Sequence, residues 1–316
     1  MDLLTISAAR RHARLMALAI FAGILIGCGG SDVDRSAEFE ELLSAENYTE
    51  ILSRAEVYEA AGEVSPVLDY ARGVALLLGQ DADLPARRSF NFAVEQDSSL
   101  APRVARLWQA AAIADHSAGW YERAKSRMHE GFLNDHDIQL EPVADGVADI
   151  LFRTDKNWQS ALEVYSHLKQ KKGVNQSMFR RWHFRYGYCL ERLGDIDGAI
   201  AAYQDFRERW PADRNDLKSV TWRLEWVLME RADAAIAAGD SDEAMKNIEE
   251  VLSIGWHLDM QQRARLAAGA ALELRDDLEG ALEYYEMIVA DGDESGGEVL
   301  KDAKNHLDRI HNLGIH

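Results

Sequence analysis

The chain has 316 residues with 54 acidic and 35 basic side chains, so its formal net charge is −19. This acidic excess excludes a protein that binds nucleic acid through a broad cationic surface. The 28% of charged residues exclude a polytopic membrane protein. Hydrophobic residues make up 47%, enough for a large core, and two cysteines cannot form a disulfide framework. The composition is typical of a folded, helix-rich protein.

The N-terminus has the features of an export signal. Arg10, Arg11 and Arg14 precede an uninterrupted apolar stretch of twelve residues, 15–26. A helix needs about 20 apolar residues to span a bilayer, so this stretch is too short for a stable transmembrane anchor. A positive segment followed by a short apolar one is typical of a secretory signal peptide.

The four residues 25–28, Leu-Ile-Gly-Cys, resemble the lipobox of bacterial lipoproteins. The resemblance implies that the signal peptide 1–27 is removed, that Cys28 is acylated, for example by palmitate, and that 28–36 form a lipidated tether. Gly29 follows the cysteine where an Asp would imply the inner membrane, so we expect the periplasmic face of the outer membrane. An ordinary signal peptide with a chance cysteine is the alternative. The other cysteine, Cys189, is predicted to be a buried, inert thiol.

A repeated pattern occupies residues 66–293. Its clearest unit, 180–213, carries small, aromatic and proline residues at a defined spacing: Gly187, Gly194, Ala199, Tyr203 and Pro211. This unit resembles the tetratricopeptide repeat (TPR). In that family two antiparallel helices, A and B, cross at small residues in positions 8 and 20, and an aromatic residue at position 24 packs beside the crossing. Phe206 departs from the pattern, because position 27 is usually small.

The alanine of position 20 recurs along the chain at intervals of 38, 37, 38, 45 and 37 residues, as Ala86, Ala124, Ala161, Ala199, Ala244 and Ala281. The small partner at position 8 recurs as Gly73, Ala112, Gly187, Ala232 and Gly269, whereas Asp149 takes that place in the unit of Ala161. The resemblance implies an all-α fold, a right-handed α-solenoid of about six TPR-like helical hairpins over 37–316. We expect a degenerate capping hairpin at 37–63 and a capping helix at 296–316. A generic helical bundle is the alternative.

Catalytic and metal-binding patterns are weak. We find no phosphate-binding loop, nucleophile elbow or paired-cysteine motif, and therefore expect no enzyme activity and no cofactor. His116, His129 and His136 share one repeat and its following loop but lack the i, i+4 spacing of a zinc-binding helix, so structural histidines are favoured over a metal site. The acidic stretch Asp291–Asp302 resembles the first half of a calcium loop. Glu298 stands where that loop is apolar, which favours an exposed turn instead.

Partner binding in TPR proteins takes place in a concave groove lined by helix A. The corresponding positions predict eight partner-binding residues here: Arg181, Phe184, Tyr188, Arg192, Trp226, Met229, Arg106 and Gln109. Aromatic rings with arginines suit peptide recognition, and the arginines favour an acidic partner segment. The three rings among these residues fit packing between helices equally well. The Lys and Asn pair that clamps a terminal carboxylate in some TPR proteins is absent.

Together these features predict a membrane-anchored TPR scaffold that binds protein partners in the periplasm. Helical-repeat lipoproteins serve β-barrel insertion, pilus secretin assembly or cell-wall synthesis, so the resemblance implies a part in cell-envelope or outer-membrane assembly. A chaperone-like or regulatory module that binds extended client peptides is the alternative.

Overall fold

The computed structural model describes residues 35–211, 214–292 and 297–313. The predicted signal peptide and Cys28 lie outside the described residues, as does 293–296 of the calcium-like turn. Within the described ranges the chain forms fifteen α-helices and no strand. These helices are α1 Ser36–Ser44, α2 Tyr48–Ala60, α3 Pro66–Val74, α4 Asp83–Gln96, α5 Ala101–Ser117, α6 Tyr121–Asn134, α7 Ala144–Ile150, α8 Trp158–Leu168, α9 Gln176–Leu193, α10 Ile196–Arg209, α11 Arg214–Ala237, α12 Ser241–Ile254, α13 Leu258–Glu273, α14 Leu278–Asp291 and α15 Gly297–His311.

The chain divides into two compact units at the boundary between Lys156 and Asn157. In the N-terminal unit α3 packs on α4, α5 packs on α6, and α7 packs on α6. In the C-terminal unit α8 packs on α9, and three hairpins follow, α9–α10, α11–α12 and α13–α14, with α15 against α14. The all-α class and the repeated helical hairpins are confirmed. The handedness of the array stays a prediction, and the predicted unit of Asp149 and Ala161 falls on both sides of the boundary.

The core of each unit lies where the helices of a hairpin cross. All six alanines predicted at position 20 are fully buried: Ala86, Ala124, Ala161, Ala199, Ala244 and Ala281. A methyl side chain lets the neighbouring backbone approach closely while still filling the space. The repeat found in the sequence is therefore the pattern of buried helix contacts.

The glycines at position 8 make room for the aromatic ring of position 24. A Cβ on Gly187 would approach the ring of Tyr203 to 2.7 Å, and a Cβ on Gly269 would overlap the ring of Tyr285. Both tyrosines are fully buried. Because the interior is close-packed, a larger residue at either glycine would displace the ring.

The N-terminal unit contains the same contact with an apolar ring. A Cβ on Gly73 would approach the ring of Phe90 to 2.6 Å. Four residues after this glycine stands Leu77, which is also buried. Since phenylalanine has no hydroxyl group, its neighbour at this position needs no polar atom.

In the two tyrosine hairpins that neighbouring position is a glutamate. The Tyr203 hydroxyl donates a 2.8 Å hydrogen bond to Glu191 Oε2, and the Tyr285 hydroxyl donates one of 2.8 Å to Glu273 Oε1. A buried hydroxyl without a partner costs about 1–3 kcal/mol. The glutamate therefore gives the buried tyrosine hydroxyl the acceptor it needs, whereas no such acceptor is needed beside Phe90.

Each glutamate also joins its hairpin to the following helix. Glu191 accepts a 2.8 Å hydrogen bond from Arg223 of α11. Glu273 lies 2.8 Å from His306 Nδ1 and pairs with Arg309, both on α15. Burial opposes the ionisation of Glu273, but the hydrogen bonds outweigh it and keep the pKa of this carboxyl below its ordinary value.

The turn between helices A and B has a recurrent form. Gly194 and Gly239 adopt positive φ angles of 81° and 77°, a region that favours glycine. The next residue caps helix B: Asp195 accepts a hydrogen bond from the Gly198 amide at 3.0 Å. Asp240 caps α12 in the same way. These turns fix the length of the hairpins.

Enlarging Gly269 tests the close contact with Tyr285. Alanine gains about 1 kcal/mol of helix propensity, yet overpacking against the buried ring costs more. We expect Gly269→Ala to lower the free energy of unfolding of the C-terminal unit by about 1–2 kcal/mol net in urea titrations. Gly297→Ala is the control, because no atom lies within 4 Å of the added Cβ. An equal loss of stability in both variants would contradict this packing.

Candidate functional site

A continuous series of half-buried rings and guanidinium groups runs over α8, α9, α11 and α13 of the C-terminal unit. We call it the aromatic–arginine ribbon. It consists of Trp158, Tyr188, Arg192, Trp222, Arg223, Trp226 and Arg263.

The first part of the ribbon joins α8 to α9 and α11. The rings of Trp158 and Tyr188 meet edge-on with centroids 5.8 Å apart. The guanidinium carbon of Arg192 lies 5.5 Å from the Trp158 ring. That of Arg223 lies 4.7 Å from Tyr188 and 5.2 Å from Trp222. Each guanidinium therefore lies over a ring, the geometry of a cation–π contact.

The second part joins α11 to α13. The rings of Trp222 and Trp226 are stacked, with centroids 5.4 Å apart and an interplanar angle of 24°. Arg263 of α13 places its guanidinium carbon 5.1 Å from the Trp226 ring. Such contacts contribute about 0.5–1 kcal/mol each at partly exposed sites, so each one favours the observed ring orientation a few-fold.

Helix periodicity explains how the chain builds this surface. Trp222 and Trp226 are four residues apart on α11, and Tyr188 and Arg192 are four apart on α9, so each pair shares one helix face. Trp158 is the first residue of α8, whose N-terminus is fixed because Asn157 accepts a hydrogen bond from the Ser160 amide at 3.1 Å.

Carboxylates neutralise part of the ribbon. Arg223 pairs with Glu191 at 2.8 Å, and Arg263 pairs with Asp233 as well as lying 3.2 Å from Glu230. Arg192 is exposed and makes no ion pair with any residue that the structure describes. The ribbon thus offers aromatic surface along its length and a cation at the end formed by α8 and α9.

The predicted binding residues on α9 and α11 have different positions. Tyr188, Arg192 and Trp226 belong to the ribbon. Phe184 lies beneath it, packed against the core with its ring centroid 6.3 Å from that of Tyr203. Arg181 is exposed two turns before Tyr188 on α9.

Of the other three predicted residues, one lies in the core of the C-terminal unit and two belong to the N-terminal unit. Met229 has no exposed surface and lies in the core, because α11 packs against α10, α12 and α13 and buries that side. We therefore withdraw Met229 as a partner contact. Arg106 and Gln109 belong to the N-terminal unit. The former is exposed, and the Gln109 side-chain amide donates a 2.8 Å hydrogen bond to the Gln139 carbonyl.

Four ribbon residues were missed from the sequence: Trp158, Trp222, Arg223 and Arg263. Trp222 could have been found because it precedes Trp226 by one turn on the same face. Trp158 belongs to a B-type helix, which the TPR groove positions do not include.

The three histidines considered as metal ligands have separate surroundings. His116 contacts Tyr121, with ring centroids 5.1 Å apart, and His136 stacks on Phe132 at 4.4 Å. His129 Nε2 lies 2.6 Å from Asp155 Oδ2. In the ranges that the structure describes, no group of three or more His, Cys, Asp or Glu side chains could hold a metal ion.

Two further observations concern reactivity and membrane contact. Cys189 is buried, and burial raises the pKa of its thiol to about 12, so the thiolate nucleophile is absent at neutral pH. Of the helices among the described residues, none combines the length and the apolar character that spanning a membrane requires.

Comparison with known proteins finds a match to one hairpin. Residues 183–213, which include most of α9 and all of α10, match the family model of the tetratricopeptide repeat. Among curated proteins, none matches the sequence. A solved structure described as PilW, a widely conserved type IV pilus biogenesis factor, has 13% sequence identity and a TM-score of 0.31, covering 73% of this chain and 96% of its own. A TM-score this low carries no argument about function.

Proposed function

We propose that the protein is a lipid-anchored TPR scaffold of the periplasm that binds a protein partner through the aromatic–arginine ribbon. The ribbon is the observation that carries the proposal. The partner segment lies along α9, α11 and α13, and the assembly served is one of the cell envelope or outer membrane. This assignment rests on the TPR match for the binding role and on the lipobox-like residues 25–28 for the location.

The composition of the ribbon supports binding. Trp, Tyr and Arg are the residues that most often dominate the energy of protein interfaces. Here the rings are half-buried and contact neighbouring guanidinium groups, so part of their side-chain freedom is already lost before a partner binds. Arg192, exposed at one end, favours a partner segment with a carboxylate at that end.

A chaperone-like module is the second candidate, and the stacked pair Trp222–Trp226 supports it. Ring faces accept many apolar side chains, so a surface of this kind can hold extended segments of differing sequence. One dominant partner favours the scaffold, whereas a mixed load of unrelated peptides favours the chaperone.

A double substitution tests the ribbon. Arg192→Glu with Trp226→Ala reverses the exposed cation and removes half of the stacked pair, so we expect partner recovery to fall about tenfold or more. The measurement is affinity purification from detergent-solubilised native membranes, with quantitative mass spectrometry of the eluate. The matched control is Lys304→Glu with Trp256→Ala, which changes an exposed lysine and an exposed tryptophan of the same unit outside the ribbon. Unchanged recovery with the ribbon variant, or equal loss with the control, would show that the ribbon is the wrong surface.

Replacing the lipobox cysteine tests the anchor. Cys28→Ala removes the sulfur that would carry the acyl chains, so we expect the variant to move from the membrane pellet to the soluble periplasmic fraction. Metabolic labelling with palmitate should mark the parent protein and not the variant. Cys189→Ala is the control, because that thiol is buried. Membrane association that persists in Cys28→Ala would contradict lipid anchoring.

A further inference from the structure

A basic stretch interrupts the acidic sequence at the start of the C-terminal unit. Residues 164–190 contain no Asp or Glu, although the protein has 54 of them. The same 27 residues contain six Lys or Arg side chains: Lys169, Lys171, Lys172, Arg180, Arg181 and Arg185. The local charge of this stretch is therefore opposite in sign to the net charge of the protein.

The loop of this stretch, between α8 and α9, forms one wall of an open cleft of about 470 Å³. Lys171 and Lys172 of this loop line the cleft, as does Arg209 at the end of α10. Phe179 and Trp210 supply the aromatic part of the lining. The cleft thus combines three cations with two aromatic rings.

The apolar floor of the cleft is firmly packed. The rings of Phe179 and Trp210 meet edge-on with centroids 5.9 Å apart. The ring centroids of Phe206 and Trp210 are 4.6 Å apart. His183 contacts both lining rings, at 4.4 Å and 5.2 Å. Burial lowers the pKa of His183, and the charge of Arg209 adds to this, so its imidazole is neutral at pH 7. Because Phe179 and Trp210 each contact other rings, their side chains need little rearrangement when a ligand binds.

The cations around the cleft are partly deprived of water. Burial lowers the pKa of Lys171, and burial is also the largest cause of the lowered pKa of Lys169. The Lys169 ammonium lies 3.5 Å from the Tyr186 ring centroid. Arg209 pairs with Asp205 at 2.8 Å and remains half-exposed. An ammonium group that has lost part of its hydration gains more from a carboxylate than a fully solvated one does.

We propose that this basic cleft is a second binding site, which takes an acidic segment of a protein partner in which carboxylates flank an apolar side chain. The apolar side chain lies on Phe179 and Trp210. The carboxylates pair with Lys171, Lys172 and Arg209. The ligand needs both carboxylates and an apolar side chain because the lining has both cations and aromatic rings.

The charge of the whole protein favours a peptide over a membrane surface as the occupant. A net charge of −19 repels an anionic bilayer, whose headgroups would face much more of the protein than the cleft. A short segment faces the cleft alone, where the cations concentrate.

The cleft is distinct from the aromatic–arginine ribbon. Phe179 and Tyr188 are nine residues apart on α9, which places them about 13 Å apart along the helix axis. The proposal therefore does not depend on the ribbon, and substitutions can separate the two.

The test uses a fluorescein-labelled peptide in which four Glu residues flank a Leu–Phe pair, titrated with the full chain in detergent. Fluorescence anisotropy in about 50 mM salt should show saturable binding that weakens as salt rises. Lys172→Glu with Arg209→Glu should weaken binding about tenfold or more, and the corresponding double alanine variant should be intermediate. Replacing Leu–Phe by Gly–Gly in the peptide should also weaken it about tenfold.

Controls separate the cleft from general charge and from the ribbon. Lys301→Glu with Lys304→Glu makes the same charge change on exposed α15 and should change the affinity less than about twofold. Arg192→Glu with Trp226→Ala should weaken binding less than the cleft variant does, because the ribbon offers one exposed cation and the cleft three. The proposal is overturned if the peptide does not bind or if the α15 variant loses as much affinity for it as the cleft variant. It is also overturned if only the ribbon variant loses affinity. Cleft-dependent binding to phosphatidylglycerol vesicles without peptide binding would also overturn it.

Discussion

Three hairpins depend on the contact between a glycine and a buried ring, namely those of Gly73, Gly187 and Gly269. Because Gly187 and Gly269 have no Cβ, the rings of Tyr203 and Tyr285 can lie against helix A, and the two helices of each hairpin lock together. The ring then determines which residue is suitable four positions after the glycine. In these two hairpins it is a glutamate, which accepts a hydrogen bond from the tyrosine hydroxyl. The same glutamate also contacts the following helix. The residue that the tyrosine hydroxyl needs as an acceptor therefore also connects each hairpin to the next helix.

The hairpins were predictable because their signal is local. A small residue and an alanine twelve positions later are both visible in the sequence. Together they mark the place where the two helices of a hairpin cross. The division at Lys156 was not predictable, because the hairpin spacing continues across it and only contacts between helices reveal it. Met229 was misplaced for a related reason. Groove positions taken from one helix do not show that α11 is covered by three neighbours.

The binding surface was predictable in part. Tyr188, Arg192 and Trp226 follow from the groove positions of helix A, whereas Trp158 reaches the ribbon from the start of a B helix and Arg263 comes from the hairpin beyond. Cation–π contacts join residues over 100 positions apart, such as those two, into one series. No spacing rule within one repeat finds such a series. The acidic background also matters, since it confines favourable contacts with acidic partners to a few cationic places.

Site-specific photocrosslinking tests the central claim most directly. The benzophenone amino acid p-benzoylphenylalanine would replace Trp222 in the ribbon and, as a control, Met287, which is exposed elsewhere in the C-terminal unit. After irradiation of native membranes, a scaffold that binds through the ribbon should give one dominant protein adduct from position 222 and none from position 287. Identical adducts from both positions, or no adduct from position 222, would contradict binding at the ribbon.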